Sequence, residues 1–475
     1  MNGSRALTRV VVLGRDVDLW LCVTAISHAL RPAGVQVVAV ELPTRLQPSH
    51  VSATLPPLEA LHAKLEIAES ALLRATGGSF SLGQNFVSAT RPAFFHAWGA
   101  YGTSIEGSAF FPLWLRAARS VALQNFCLTA VAAHNGRMLL PDAATSAFGR
   151  TDYGYHLQTL PYVGFLKSMA AKLGVEIREA QAVTVERDTG NIAALIVDGS
   201  LRVEGQLFVD ATGEEAILMG AAREHWGEYF CVDRVLSATA PAFTSTPPFA
   251  EIRMGRSGWT VLHPNRLMTG VLHAYSSELS SDEAAFESAS AASGAKLVDV
   301  SYRRVDPYIR SSVWEGNCIA VGGAACALDP IHDVDLHVLQ LGLVHLLSLF
   351  PVTEQFAAER TEYNRLIRSH YERVRDFQCA FYAFSHSRVI PPSLEQKMAG
   401  FRARGVIAPM EDETFSPDSW QALFIGLGVV PESWPPAVDR IAPQRVQEQL
   451  RQMLGFIKTK VLEQPSHNAY LERLA

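Results

Sequence analysis

At 475 residues, 48% hydrophobic and 19% charged, the chain can bury a large core and is expected to form two closely joined domains. A formal net charge of -6 without a basic block gives no footing for a nucleic-acid partner. No apolar run reaches the roughly 20 residues of a membrane helix and no signal segment precedes Val10, so the expectation is a soluble cytoplasmic protein with no membrane partner.

The first elements lie between Val10 and Glu41. Residues 10–13 are a β-branched run ended by Gly14, residues 19–30 carry apolar residues at helical spacing, and residues 35–40 form a second apolar run closed by Glu41. This pattern predicts a βαβ unit of the kind that opens a dinucleotide-binding domain. A working phosphate turn would place glycines at 14, 16 and 19, but the turn reads Gly14-Arg15-Asp16-Val17-Asp18-Leu19. Asp16 and Asp18 stand where phosphates would meet the positive end of the helix and would repel them.

Pro56-Pro57 starts a helical pattern that continues to about Ala75, Thr76-Gly77-Gly78 breaks it, and Phe80, Leu82 and Phe86 predict an extended segment. The aromatic and glycine-rich residues 96–102 either line a cavity or bridge a sheet to its loops. A helix is expected over 160–173, a strand from Val175, a hairpin of 183–186 with 192–197, and a strand over 207–211 that ends at Gly213 and returns to the parallel sheet. Residues 259–262 and 271–275 read as strands of a second sheet. Residues 318–321 repeat the strand-then-turn logic before an apolar helix over 336–349. Beyond Val352, helical segments are expected near 354–384, 394–404, 420–427 and 445–462.

The fold class is therefore α/β: an FAD/NAD(P)-binding Rossmann-like module with an added antiparallel sheet and a mainly helical C-terminal region. The expected division is a module over 1–350, made discontinuous by substrate-side sheet inserts near 80–160 and 225–300, and a helical cleft region over 351–475. The cleft between them is the default site.

The six cysteines, Cys22, Cys127, Cys231, Cys318, Cys326 and Cys379, never form a CxxC pair and read as buried apolar residues in a reducing compartment. His332, Asp333, Asp335 and His337 cluster after Pro330, with His263 and His273 as candidates to approach in space. Their spacing gives no clean ligand face, so polar lining or capping is expected and no metal. A Ser81–His332 nucleophile and base would need an oxyanion hole that the sequence does not establish.

Motifs recurring in order resemble the flavin-dependent tryptophan halogenases, a branch of the FAD-dependent aromatic monooxygenases. They include Ala53-Thr54-Leu55-Pro56, Phe95-His96, Tyr155-His156, Val209-Asp210-Ala211-Thr212-Gly213, Val232-Asp233-Arg234, Trp314-Glu315-Gly316-Asn317, Tyr363-Asn364-Arg365 and Arg375-Asp376-Phe377. The resemblance runs from Val10 to His467. It implies reduced FAD that reacts with oxygen and halide, and a tunnel carrying hypohalous acid to an essential lysine beside an aromatic substrate.

Matched residue by residue, Ser81 occupies the lysine position and His332 that of its glutamate partner. A neutral hydroxyl supplies no fixed positive charge, and histidine can act as a base but is not a carboxylate. Trp259 and Pro264 keep the tunnel motif, whereas Val261 and His263 replace its other members, and His96 falls on the substrate or tunnel side. Val334 and Asp335 stand where small residues normally approach flavin and halide, and Asp335 opposes an anion there. Gly14, Glu41, Gly213 and Gly322 are the residues that would hold FAD, with Glu41 placed for the adenine ribose. Asp16, Asp18, Leu19, Ser49 and Val51 count against FAD, each introducing bulk or charge at a contact point.

These departures lead to the expectation of a diverged protein with a binding, regulatory or partner role. It would act as a homodimer or in a hetero-complex with an active homologue, its cleft taking an aromatic small molecule or a peptide side chain. The alternative is an FAD-dependent monooxygenase or altered halogenase acting on an indole, tryptophan-like or other aromatic substrate, with oxygen and reduced flavin from a flavin reductase.

Overall fold

In the computed structural model, residues 6–383 and 389–474 are described. Strand β1 (Arg9–Gly14) sits inside a six-stranded sheet because Val10, Val11, Val12 and Leu13 are apolar on both faces and all are fully buried. The order across the sheet is Trp314–Glu315, Cys318–Ala320, Leu207–Ala211, β1, β2 (Gln36–Glu41) and Glu176–Glu179. All neighbours are parallel except Trp314–Glu315 on Cys318–Ala320. Gly14 lies opposite both Ala211 and Glu41, so the ends of three strands open on one edge.

Helix α1 (Asp16–Leu30) follows β1 after Arg15, and Leu19 to Ser27 are all buried. It packs between Thr159–Lys172 and Asp335–Ser348. Leu19, where a phosphate-binding turn would carry its third glycine, is fully buried in that packing. The turn itself still requires Gly14, because a Cβ there would come within 2.4 Å of the Ala211 carbonyl oxygen.

A second, seven-stranded sheet runs in the order Val298–Arg304, Arg234–Pro241, Met268–Tyr275, Gly258–Pro264, Ala250–Met254, Gly83–Ser88 and Phe94–Ala97. It is antiparallel except where Ala250–Met254 meets Gly83–Ser88. A three-stranded sheet of Val51–Ala53, Gly154–Gln158 and Ser79–Ser81 links it to the first. Helices Ala357–Ala383, Pro392–Arg404, Pro417–Gly426, Pro443–Leu462 and His467–Leu474 make up the C-terminal part. Most buried apolar residues, from Val10 through Trp420 to Leu471, belong to one contiguous cluster, and a second, smaller one including Leu236, Val271, Tyr275 and Ala285 lies between the large sheet and helix Asp282–Ser293.

Two boundaries differ from the sequence reading. The single helix expected from Leu58 to about Ala75 is two, Pro57–Lys64 and Glu69–Thr76, because Glu66 adopts a positive φ of 57° and breaks the ladder between them. The helix expected near 354–384 begins at Ala357, and Phe384 lies outside the described residues. Cys22, Cys127, Cys318, Cys326 and Cys379 are buried and Cys231 is half-buried. Among the described residues, no helix is long and apolar enough to cross a membrane.

Candidate functional site

The strand ends beyond Gly14 and Ala211 open on a cavity of about 620 Å³ lined by Arg15, Asp16, Asp18, Arg45, Gly213 and Arg303 among others. Asp16 takes the left-handed backbone conformation that a glycine would supply (φ 57°), and its carboxylate accepts hydrogen bonds from Thr44 Oγ1 (2.5 Å) and the Arg45 amide (3.2 Å). The carboxyl of Asp18 lies against the Gly322-Gly323 turn, 3.4 Å from the Gly323 amide. A Cβ on Gly322 would stand 2.6 Å from Asp18 Oδ2. Burial pushes the Asp18 carboxyl up to about 7; the Gly323 amide opposes this, and Asp335 and Asp16 add to it.

Arg15 pairs with Glu215 through Nη2 at 2.9 Å, and Arg45 pairs with the same carboxylate. Arg15 Nε and Nη1 are buried without a hydrogen-bond partner. Two unsatisfied guanidinium donors at a strand end are a demand for an anion. The diphosphate of a flavin dinucleotide fits that demand. Gly213 (φ 71°) leaves open space where a side chain would stand, and Asp18 is compatible with the anion in its neutral form. Glu41, expected to await a ribose, is already engaged by Trp20 Nε1 at 3.1 Å and by the Lys167 ammonium. Ser49 is buried, and Val51 packs on the Gly270 backbone, where a Cβ would lie 2.5 Å from Val51 Cγ2.

The second part of the site is a buried aromatic cluster. Ser81, in strand Ser79–Ser81, is 3% exposed, and its hydroxyl donates to the Gly83 carbonyl at 3.2 Å. His332 is fully enclosed and holds a positive φ of 68° in the turn before helix Asp335–Ser348. Its ring lies 5.4 Å from Phe86, 5.1 Å from Phe377, 5.7 Å from Phe381 and 6.2 Å from His96. His96 touches Trp98 and Phe377, and neither of its ring nitrogens has a partner. Burial pushes both histidines down to about 3, so both are neutral near neutral pH.

The sequence reading missed Gln84, which lies in the next strand, Gly83–Ser88, and joins that strand to His332. Gln84 Oε1 lies 3.1 Å from His332 Nδ1, and its amide nitrogen donates to Asp333 Oδ2 at 2.8 Å. The available signal was a polar residue on the strand face it shares with Leu82 and Phe86. Asp333 also accepts from His263 Nε2 at 2.8 Å. Trp259 donates through Nε1 to Tyr382 (2.8 Å), whose hydroxyl bonds to Asp329. The Pro264 carbonyl accepts from Ser79 and His156.

The His332–Asp333–Asp335–His337 cluster is divided by the fold. Asp335 at the start of its helix raises Asp18 by its charge, while His337 pairs with Thr414 at 3.1 Å. Of the two distant candidates, His263 joins Asp333, whereas His273 bonds to Thr260 and stacks on Tyr275. Among the described residues, no group of three or more His, Cys, Asp or Glu side chains is arranged to hold a metal ion.

The tryptophan halogenase family model matches residues 9–443. The tryptophan 6-halogenase ThaL of Streptomyces albogriseolus is 23% identical over 496 aligned positions, covering 92% of each chain. Among solved structures, the flavin-dependent halogenase BrvH from Brevundimonas sp. BAL3 superposes with a TM-score of 0.92 at 26% identity, covering 98% of this chain and 99% of the other. Xcc4156, a flavin-dependent halogenase from Xanthomonas campestris, superposes with a TM-score of 0.93 at 29% identity, covering 99% of each. The mixed α/β architecture and FAD-binding fold expected from the sequence are those of these structures. That full-length likeness to flavin-dependent halogenases overturns the expectation of a non-catalytic binding, regulatory or partner protein and favours the enzymatic alternative.

Proposed function

Since this chain belongs to the tryptophan halogenase family, we propose that it is a flavin-dependent enzyme that oxidises an indole-like or other aromatic substrate, as a monooxygenase or an altered halogenase. The observation that carries this reading is the near-complete superposition on two flavin-dependent halogenases, with a dinucleotide cleft and a separate aromatic cluster in one fold. FAD is the cofactor in this reading, and a separate flavin reductase supplies it in reduced form. Bound reduced flavin would supply the electrons that activate molecular oxygen.

The chain's own residues then divide the work. Arg15 offers its two unpartnered N–H groups to the diphosphate, and Gly14, Gly213 and Gly322 let the backbone approach the dinucleotide. Phe86, Phe377 and Phe381 exclude water around the neutral His332, which faces the aromatic substrate as a base. Ser81 is a neutral hydroxyl at the position of the family's lysine, so it orients an oxidant by hydrogen bonding and does not hold it by charge.

The test supplies purified protein with FAD, a flavin reductase and its nicotinamide, oxygen, and chloride or bromide, together with tryptophan, indole and simple phenols. The expected result is a product heavier by one oxygen or one halogen, by mass spectrometry, that disappears when the reductase is left out. Folded protein that turns over no member of the panel would refute the proposal.

A further inference from the structure

The hydrogen bonds around Gln84 determine which nitrogen of His332 carries the proton. Asp333 is an acceptor on both oxygens, from Gln84 Nε2 at 2.8 Å and His263 Nε2 at 2.8 Å. Burial raises this carboxyl, but His263, with His156 behind it and Gln84 alongside, outweighs burial and leaves it below the usual carboxylate range. An ionised Asp333 requires a donor from Gln84, so the amide nitrogen faces Asp333 and Oε1 faces His332. Oε1 only accepts, so the hydrogen between it and His332 Nδ1, 3.1 Å apart, belongs to the imidazole.

The consequence falls on the other nitrogen. His332 Nε2 keeps its lone pair and is buried with no hydrogen-bond partner. The titratable groups facing its ring are His96 and Asp333; the remainder of its ring contacts are Phe86, Phe377 and Phe381. Burial and His96 keep the imidazole neutral, so Nε2 is a free acceptor in an apolar enclosure.

We infer that Gln84, held by Asp333 and His263, is a positioning residue that fixes His332 in its Nδ1–H form, so that Nε2 takes the proton released by the aromatic substrate. This assignment rests on the oxidative reading above. The oxidant is an electrophilic oxygen or halogen species derived from molecular oxygen with reduced flavin as electron donor, and halide in the second case. The ring's π electrons attack the transferred oxygen or halogen. Its bond to the oxidant's other oxygen breaks, and that oxygen leaves as hydroxide, protonated to water. The C–H bond at the attacked carbon then breaks and its electron pair restores the aromatic ring. The proton bonds to Nε2, and the resulting imidazolium returns it to water.

The experiment labels the intact protein with ring-¹⁵N histidine and records two-bond ¹H–¹⁵N correlations from about pH 5.5 to 8, with His332 identified by the His332→Gln variant. Wild type should show Nδ1 protonated and Nε2 bare throughout. Gln84→Met, close in volume, should lose the preference and give a mixture of tautomers. Gln84→Glu should keep it, because an oxygen still accepts from Nδ1–H. In turnover, Gln84→Met should lower kcat roughly tenfold with KM unchanged, as expected for a general base no longer held in its acceptor form. An Nε2–H form in wild type, or a Gln84→Met spectrum identical to wild type, overturns the assignment. Correct tautomers without product from any aromatic substrate would overturn the oxidative reading instead.

Discussion

Asp18 is a carboxyl group whose charge the fold resists. Its folded value of about 7 lies above the ordinary 3.8, so the unfolded chain releases its proton first as pH rises. Its contribution to stability is therefore full below about pH 4 and is lost as pH climbs through 7. Asp18→Asn should melt a few degrees higher than wild type at pH 8 and no higher at pH 4, by thermal denaturation at the two pH values. The same charge opposes a diphosphate, so FAD should bind wild type more tightly at pH 6 than at pH 8, whereas Asp18→Asn should bind equally at both, by fluorescence titration. Arg15→Ala removes the two unpartnered donors and should weaken FAD roughly tenfold or more. The sequence named Asp18 as a defect in the turn, but its closeness to Gly322-Gly323, more than three hundred residues away, came from the fold alone. No local signal marked Arg15, because the shortage of acceptors around it is set by several chain segments.

The segment joining helices Pro392–Arg404 and Pro417–Gly426 shows how an element can close a site. Phe415 stacks on Phe377 with ring centroids 3.7 Å apart, and Trp420 meets Phe377 edge-on at 4.9 Å. A buried pair between Lys397 and Glu413 pins the segment, and Lys397 lies over the Trp420 ring. Phe415 thus packs beside His96 as part of the same aromatic enclosure. Phe415→Ala should cost about 3–5 kcal/mol and leave a cavity that accepts a planar aromatic. Indole should then raise the melting temperature of the variant more than that of wild type. Helical spacing identified most of these helices to within a few residues, since each has an apolar stripe. Helices Phe110–Ala117, Leu128–His134 and Asp282–Ser293 went unread: the first two are short, and the last is rich in alanine and serine.

For the whole molecule, the histidines set the response to acid. His62, His96, His156, His273, His332, His337 and His467 are all pushed down to about 3 or 4, with burial the leading cause in each. Each has a folded value below its unfolded 6.5, so each contribution is present above 6.5 and is lost as pH falls toward 4. Asp18 and Asp329, both raised to about 7, act in the opposite sense, as do the raised carboxyls of Glu59, Asp152, Asp210, Asp335 and Asp418, while His50, His134, His345 and His370, also lowered by burial, add to the histidine side. The melting temperature should fall steeply between pH 6.5 and 4; a flat profile would contradict this. The sequence by itself determined the architecture, because β1, α1 and β2 are written in local periodicity and turn chemistry, and the order of motifs identified the family. It also named Ser81 and His332 as the positions where the resemblance expects a lysine and a glutamate. Only the tertiary structure decided what His332 faces: an aromatic enclosure built from separate strands and helices, and the His332–Gln84–Asp333–His263 chain, whose members come from three places in the sequence. Hydrogen-bond direction depends on which partners burial leaves available, and burial is a property of the folded chain.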